Sequence, residues 1–343
     1  MSIFSILLQN ILICITAFLL CFFLLPLLER AAKQKGYVTK PNPQKSDQRK
    51  IPYIGGIGIF LIFMMLFIGT YFRFPGLIKS NHFFAYLAAS AFIAFFGVYD
   101  DFKELTPLYK LIGQFIGAFV LTVFVVRTEI IFFPDLINYF ISILWIIVVI
   151  NAFNLLDIID GLAGSIALIN SIAFFIFAFL SGNYFVMLVA AILIGSLAAF
   201  LNYNLPPARI FMGDMGSQFL GFSQAVMALS LSFSSLGHEI GIIIPLILLA
   251  VPLFDLLFVV IMRLRQKKSI ILKSNDHFVF RMLASGKSHK QVLVIMITLA
   301  ILTKICALII YKTSNITGTL LATVLISLIF FYGINLNKFK FEK

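Results

Sequence analysis

The sequence predicts an all-α protein whose helices cross a membrane many times. Hydrophobic residues make up 61% of the chain and charged residues only 12%, against about 45–50% and about 25% in soluble domains. The mean hydropathy is +1.06, and apolar runs of about 18 residues or more recur along the chain. Barrel strands would alternate apolar and polar residues, so these uninterrupted runs indicate helices. Soluble, disordered, collagen-like and disulfide-stapled secreted classes are excluded.

Eleven apolar spans follow one another along the 343 residues. Charged residues, glycines or prolines separate them, as expected where a chain leaves the hydrocarbon layer. In order, the predicted spans are 3–28, 51–72, 82–99, 108–126, 134–150, 165–181, 184–201, 216–235, 240–262, 291–311 and 316–336. We expect them to form one transmembrane domain over residues 1–343, with its motif-bearing region at about 30–290.

The distribution of basic residues predicts the orientation of these spans. Of the 26 Lys and Arg residues, 21 fall in alternate connecting segments on one side of the membrane. Because the side rich in Lys and Arg faces the cytoplasm, the N-terminus is expected outside and the C-terminus inside. The net charge of +12 therefore reflects topology, and nucleic acid is not an expected partner.

Carboxylates cluster in the predicted cytoplasmic segments. The clusters are Asp100 with Asp101, Asp157 with Asp160, and the single Asp214. Placing a carboxylate in a membrane helix costs roughly 2.5–3.5 kcal/mol of insertion free energy at mid-bilayer and less toward the interface. One such cluster is equally consistent with a solvated loop or a pair neutralised by lysine. Three on one face, without neighbouring histidines, indicate a site for a hard cation such as Mg²⁺.

Two of these segments have a spacing that suggests a site. After Asp100 and Asp101, Pro107 is expected to start a new helix that places Lys110 and Gln114 one turn apart. In 151–164, polar residues recur at every third position, which on a continuous helix makes one polar stripe. These are Asn151, Asn154, Asp157 and Asp160. The stripe is also consistent with an interhelical hydrogen-bond seam, although a seam does not need acids.

The segment 202–217 combines helix breakers with an acid. Pro206-Pro207 should end a helix, and Gly213 and Gly216 flank Asp214 just before the next helix. We expect backbone N–H groups and a carboxylate to face one pocket there, an arrangement that suits a metal-bound phosphate. The longest cytoplasmic segment, 263–290, carries eight basic residues, most of which are explained by topology.

Together these segments resemble the polyprenyl-phosphate N-acetylhexosamine-1-phosphate transferases. The resemblance rests on Asn-x-x-Asn-x-x-Asp-x-x-Asp-Gly at 151–161 and Phe-Met-Gly-Asp-x-Gly-Ser at 211–217. It implies a membrane enzyme that moves a sugar 1-phosphate from a UDP-sugar to undecaprenyl phosphate, releases UMP and uses Mg²⁺ or Mn²⁺. Eleven spans resemble the branch specific for GlcNAc 1-phosphate. It further implies a bacterial inner-membrane location, a site facing the cytoplasm and a homodimer.

The resemblance also implies roles for individual residues. Asp100 and Asp101 match the pair that handles the lipid phosphate, by orientation or by proton removal. Asp214 matches the Mg²⁺ ligand, with Asp157 as a further ligand, and Phe211 matches an aromatic residue that stacks on uracil. The implied catalytic residues are Asp100, Asp101, Asp157 and Asp160, and the implied substrate-binding residues are Lys50, Lys110, Asn154, Phe211, His277 and Arg281.

The sequence departs from the family pattern at three positions. Asp47, Val279 and Phe280 stand where histidines are usual, whereas His277 and Arg281 retain the expected residue types. These departures leave open which sugar the donor carries. They also leave open a catalytically silent relative that binds lipid or nucleotide. A cation-coupled transporter is a third hypothesis, although its acids should lie near the midplane in repeated halves.

Overall fold

The computed structural model describes residues 3–313 apart from 39–49, 104, 126, 129, 131–132, 232–242 and 270–275, together with eight positions between 317 and 328. The described residues form twelve helices and no strand. Eight of these helices are long and apolar enough to cross a membrane. This confirms the all-helical, multi-span class. Asp47 and most of the predicted last span lie outside the described residues.

Two compact units make up the chain, Met1–Leu231 and Ser232–Lys343. The first holds eight helices: α1 (Ile3–Lys35), α2 (Gly55–Arg73), α3 (Ser80–Lys103), α4 (Pro107–Phe124), α5 (Asp135–Leu156), α6 (Leu162–Ser181), α7 (Tyr184–Asn204) and α8 (Gly213–Ser230). The second holds α9 (Ile244–Leu248), α10 (Ala250–Arg265), α11 (Phe278–Ala284) and α12 (His289–Lys312).

The first unit is built around α7 and α8, whose side chains are almost all buried. Helices α1 and α6 pack on α7, whereas α3 and α5 pack on α8. The outer helices expose large apolar side chains such as Phe23, Phe95 and Phe140. In a bilayer these side chains meet lipid, so the exposed apolar surface is the expected one for a membrane bundle.

Pro107 starts α4 as the sequence predicts, since its missing N–H costs nothing in the first turn. By contrast, the predicted span 240–262 is interrupted. Helix α9 ends at Leu248 and α10 begins at Ala250. Pro252 has no N–H to donate to the carbonyl of Leu248, which explains the break.

The polar stripe predicted over 151–160 is only half helical. Helix α5 carries Asn151 and Asn154 but ends at Leu156, and Asp157 and Asp160 lie in the turn that precedes α6. The Oδ2 atom of Asp160 accepts a hydrogen bond from the N–H of Ala208 at 3.0 Å. This bond to the α7–α8 connection requires a turn, so the expectation of a continuous stripe was wrong.

Candidate active site

Four helices of the first unit bring polar side chains together at one end of the bundle. Asp100 comes from the last turns of α3, Lys110 from the first turn of α4, Asn154 from the end of α5 and Asp214 from the first turn of α8. The turn after α5 adds Asp157. These residues are far apart in the sequence, so helix packing creates the cluster.

Asp214 is held at both of its oxygens. Lys110 Nζ donates to Oδ2 at 3.0 Å, and Asn154 Nδ2 donates to Oδ1 at 3.1 Å. Lys110 also forms an ion pair with Asp100. Asp100 is buried, and its Oδ1 accepts the N–H of Leu105 at 2.7 Å, which closes the turn between α3 and α4. One lysine thus links two carboxylates from different helices.

Asp101 caps the N-terminus of α8. Its Oδ1 accepts the N–H of Asp214 at 2.7 Å, and its Oδ2 accepts the N–H of Met215 at 3.2 Å. The negative carboxylate is favoured there because the helix N-terminus carries partial positive charge. The expectation that these N–H groups would be open to a phosphate was wrong, since Asp101 occupies them.

Gly213 makes this contact possible. Its φ of +79° is a left-handed conformation that glycine adopts without strain. A Cβ atom there would lie 3.0 Å from Asp101 Oδ2 and 3.0 Å from the carbonyl oxygen of Tyr53. The glycine therefore allows both the turn into α8 and the close approach of Asp101.

Phe211 lies in a short backbone ladder beside this turn. Its N–H donates to the carbonyl of Pro52 at 2.8 Å, and its carbonyl accepts the N–H of Gly55 at 2.9 Å. The half-buried ring is therefore anchored through its backbone. Close packing continues into the helices, because a Cβ on Gly56 would lie 2.3 Å from Cα of Gly216.

Lys50 is exposed and lines a cavity of about 240 Å³ at the edge of this region. The buried Glu29 in the same cavity accepts hydrogen bonds from Lys33 at 2.7 Å and Arg209 at 3.1 Å. Glu29 thus partly neutralises the charges of Lys33 and Arg209, whereas the described residues offer Lys50 no hydrogen bond or ion pair.

Within this cluster, Asp157 accepts no hydrogen bond from the described residues. Burial raises the pKa of Asp157 to about 7, and the nearby negative charge of Asp214 adds to the shift. A bound cation would stabilise the ionised form of this carboxylate. Asp160, by contrast, accepts the N–H of Ala208, and this bond joins the turn after α5 to the α7–α8 connection.

A family model for glycosyl transferase family 4 matches residues 83–232, the stretch that contains Asp100, Lys110, Asn154 and Asp214. This stretch of the chain is therefore similar to glycosyl transferase family 4. A probable undecaprenyl-phosphate N-acetylglucosaminyl 1-phosphate transferase of Bacillus subtilis is 28% identical over 303 residues, covering 86% of this chain and 83% of the relative.

Two further relatives carry closely similar names. The undecaprenyl-phosphate alpha-N-acetylglucosaminyl 1-phosphate transferase of Yersinia pestis is 28% identical over 82% of this chain and 79% of its own length. The protein of the same name from Escherichia coli K12 is 27% identical over 83% of this chain and 79% of its own length. The similarity of this chain to these relatives therefore extends well beyond residues 83–232.

The second unit contains His277 and Arg281. His277 Nδ1 lies 2.8 Å from Asp255 Oδ2, and Asp255 Oδ1 accepts the N–H of Phe278 at 3.0 Å. Both side chains of this Asp–His pair are buried. Asp255 thus fixes the start of α11 and the imidazole of His277.

The two replaced histidine positions also lie in α11. Val279 is fully buried, and Phe280 is half-buried beside the His277 ring at 5.6 Å between centroids. Arg281 is buried, with Asp276 3.7 Å from its guanidinium. At positions 279 and 280 the chain therefore has apolar side chains where the pattern that it resembles has histidines.

The carboxylates of the first unit can supply part of the ligand set of a hard divalent cation. Among the described residues no group of three or more His, Cys, Asp or Glu side chains is arranged to hold a metal. Mg²⁺ usually takes one or two carboxylates and completes its shell with water and substrate phosphates. Asp157, which receives no hydrogen bond from the described residues, and Asp214, whose oxygens each retain a lone pair, provide such a partial set.

Some residues around the site were not identified from the sequence. Ser217 and Gln218 follow Asp214 by three and four positions, and Ser217 Oγ accepts a hydrogen bond from Asn154 at 2.9 Å. The spacing places both on the face of α8 that carries Asp214. That periodicity was available in the sequence, but only packing shows which helices they meet.

Proposed function

We infer that the protein transfers N-acetylhexosamine 1-phosphate from a UDP-sugar to undecaprenyl phosphate, giving undecaprenyl-diphospho-sugar and UMP. The single observation that carries this inference is that Asp100, Lys110, Asn154 and Asp214 meet from four helices within the stretch that matches the family 4 model. The names of its relatives describe transfer of N-acetylglucosamine 1-phosphate to undecaprenyl phosphate.

The reaction is a phosphoryl transfer between two anions. An oxygen of the lipid phosphate attacks the phosphorus bearing the sugar, a new P–O–P bond forms, and the P–O bond to UMP breaks with its electron pair on UMP. The lipid phosphate is already an anion at neutral pH, so a strict general base is not required. What the protein must supply is orientation and neutralisation of charge.

We assign neutralisation to a divalent cation on Asp214 and Asp157. Bound Mg²⁺ would stabilise the negative charge that develops on the transferred phosphate. Lys110 supplies a further positive charge beside Asp214, and Asn154 orients that carboxylate. Mn²⁺ has similar ligand preferences and would substitute.

The remaining roles follow the positions of the side chains. Asp100 holds Lys110, while Asp101 positions Asp214 by capping α8. We assign the half-buried ring of Phe211 to stacking on uracil. We assign Lys50, which has no partner among the described residues, to contact with substrate phosphate. Asp160 supports the turn that presents Asp157.

Residues 277–281 of the second unit bear on which UDP-sugar the protein uses as donor. We propose that His277 and Arg281 contact the sugar diphosphate. Val279 and Phe280 stand where the pattern that the chain resembles has histidines, so the panel of donors should include N-acetylated and deoxy sugars.

We further propose that the protein lies in the bacterial inner membrane as a homodimer, with its site facing the cytoplasm. The excess of Lys and Arg in alternate connecting segments supports this orientation. Polyprenyl phosphate would enter laterally from the bilayer, whereas the UDP-sugar would enter from water.

The test is a radiolabel assay in detergent with undecaprenyl phosphate, Mg²⁺ and a panel of UDP-N-acetylhexosamines. We expect label to enter the lipid as UMP is released, and the accepted donor identifies the sugar. Folded protein that transfers label from no donor would contradict the proposed function and favour a silent relative that binds lipid or nucleotide.

A further inference from the structure

A second layer of polar side chains lies one helical turn beneath the site. We call Lys110, Asn154 and Asp214 the upper layer, and Gln114, Asn151 and Gln218 the lower layer. Each lower residue is three or four positions from its upper counterpart on α4, α5 or α8, which is one turn of helix. The two layers therefore connect the same three helices.

Hydrogen bonds join all three members of the lower layer. Asn151 Nδ2 donates to Gln114 Oε1 at 2.7 Å, and Gln114 Nε2 donates to Gln218 Oε1 at 3.3 Å. Gln114 and Gln218 are buried, with 3% and 2% of their surface exposed. Since a buried amide without a partner costs about 1–3 kcal/mol, these bonds favour one arrangement of the helices.

The lower layer sets the register that the upper layer needs. A slip of one residue along a helix moves a side chain about 1.5 Å along the axis and rotates it by about 100°. Such a slip of α4 or α5 would remove Lys110 or Asn154 from Asp214. The carboxamides carry no charge, so they can hold this register without changing the charge of the site.

We propose that Gln114, Asn151 and Gln218 are positioning residues, which hold Lys110 and Asn154 on Asp214 for the transfer reaction. This proposal rests on the proposed function. A purely structural role predicts the same loss of activity at any buried glutamine of this helix. Helix α8 carries another one, Gln224, which does not touch the site. Gln224 Nε2 donates to the carbonyl of Ala167 at 3.2 Å and to Ser171 Oγ at 2.9 Å, both on α6.

The test compares Gln114→Met and Gln218→Met with the matched control Gln224→Met. Each change keeps the length of the side chain and removes a buried carboxamide. We expect kcat to fall 10- to 100-fold for the first two, since a misplacement of about 1 Å costs on the order of 100-fold. KM for both substrates should stay within about threefold, and Gln224→Met should keep kcat within about threefold.

Further variants separate positioning from folding. Melting temperatures in detergent should fall by similar amounts for all three variants. The double variant Gln114→Met/Gln218→Met should lose no more kcat than the worse single variant, because both remove one shared bond. Should a Met variant not fold, Asn151→Ser replaces it. Asn151 Nδ2 also donates to the carbonyl of Ile147 at 2.8 Å, a bond that a serine hydroxyl can keep, whereas the shorter side chain loses its bond to Gln114.

Two results would overturn the proposal: equal losses of kcat in Gln114→Met and Gln224→Met, or wild-type kcat in Gln114→Met. Inactive wild-type protein would contradict the proposed function instead. The layer is then tested by hydrogen–deuterium exchange over residues 211–218. Faster exchange in Gln114→Met than in Gln224→Met supports positioning, and equal rates refute it.

Discussion

At the level of single residues, Asp214 is where charge, hydrogen bonding and helix geometry meet. Its two oxygens accept from different helices, one through Lys110 and one through Asn154. The same residue lies in the first turn of α8, and its backbone N–H donates to Asp101. A change at this position therefore tests the proposed cation site more directly than a change at any outer residue.

Asp214→Asn should lower turnover on the order of 100-fold or more while the protein still inserts and folds. The amide keeps the shape of the side chain but loses the charge that Lys110 and a cation would need. The measurement is the radiolabel assay across a range of Mg²⁺ concentrations. Asp135→Asn is the control, because Asp135 is exposed at the far end of α5. Wild-type rates in Asp214→Asn would remove the metal assignment.

Phe211→Ala should raise the donor KM about tenfold and lower kcat less than that. Stacking of a base on an aromatic ring contributes about 1–3 kcal/mol, and about 1.4 kcal/mol is a factor of ten in affinity. Initial rates at varied UDP-sugar concentration give both constants. Phe72→Ala is the control, because Phe72 is exposed near the end of α2 that lies away from the site; it should change neither KM nor kcat. An unchanged KM in Phe211→Ala would argue against stacking.

Gly213→Ala should abolish most activity and lower the melting temperature. Left-handed backbone costs an alanine about 1–2 kcal/mol, and the new Cβ would also press on Asp101. Gly182→Ala is a matched control, because Gly182 has a φ of +69° but nothing within 4 Å of the added Cβ. We expect the control to lose stability alone. Equal activity in the two variants would show that the Asp101 contact is not needed.

At the level of helices, the cap on α8 links stability to the site. Asp101 satisfies two N–H groups that would otherwise lack partners in the first turn. The comparable cap at the other end of the bundle is Asn183, whose Oδ1 accepts the N–H of Val186 at 3.1 Å at the start of α7. The two caps are chemically similar, but only Asp101 lies beside the carboxylate cluster.

Asn183→Ala removes the cap of α7 and should destabilise the protein by about 1 kcal/mol. Asp101→Asn leaves one acceptor oxygen for two backbone N–H groups, so one of them loses its partner and the cost should be about 1–3 kcal/mol. Melting in detergent measures this loss. Only Asp101→Asn should also reduce turnover, because α8 would no longer present Asp214 in register with Lys110. Loss of turnover without loss of stability in Asp101→Asn would instead favour direct action of Asp101 on the lipid phosphate.

At the level of the whole molecule, the charge distribution predicts the orientation in the membrane. In a background without Cys14, Cys21 and Cys306, the variant Lys287→Cys should react with a membrane-impermeant maleimide only from the cytoplasmic side. Gly76→Cys, between α2 and α3, should react only from outside. Labelling of intact cells against inverted vesicles measures this. External labelling of Lys287→Cys would overturn the topology.

The sequence determined the class of the protein and most of its parts. Apolar runs predict helices because lipid offers the backbone no partner, and this reasoning placed α2, α3, α4, α6 and α7 within about four residues of their observed ends. Helices α1 and α5 continue past the predicted ends at 28 and 150, to Lys35 and Leu156. It also selected Asp100, Lys110, Asn154 and Asp214, because polar groups at helix ends are costly without a role. These inferences depend on residues within one segment, where the pattern along the chain is sufficient.

Only the tertiary structure decided which of these groups act on one another. Asp101 and Asp214 are 113 positions apart, and their contact follows from the packing of α3 on α8. The same holds for the end of α5 at Leu156, which depends on Asp160 reaching the α7–α8 connection, and for the bond between Gln114 and Gln218. A hydrogen bond depends on distances of tenths of an ångström, and sequence spacing does not specify such distances between separate helices.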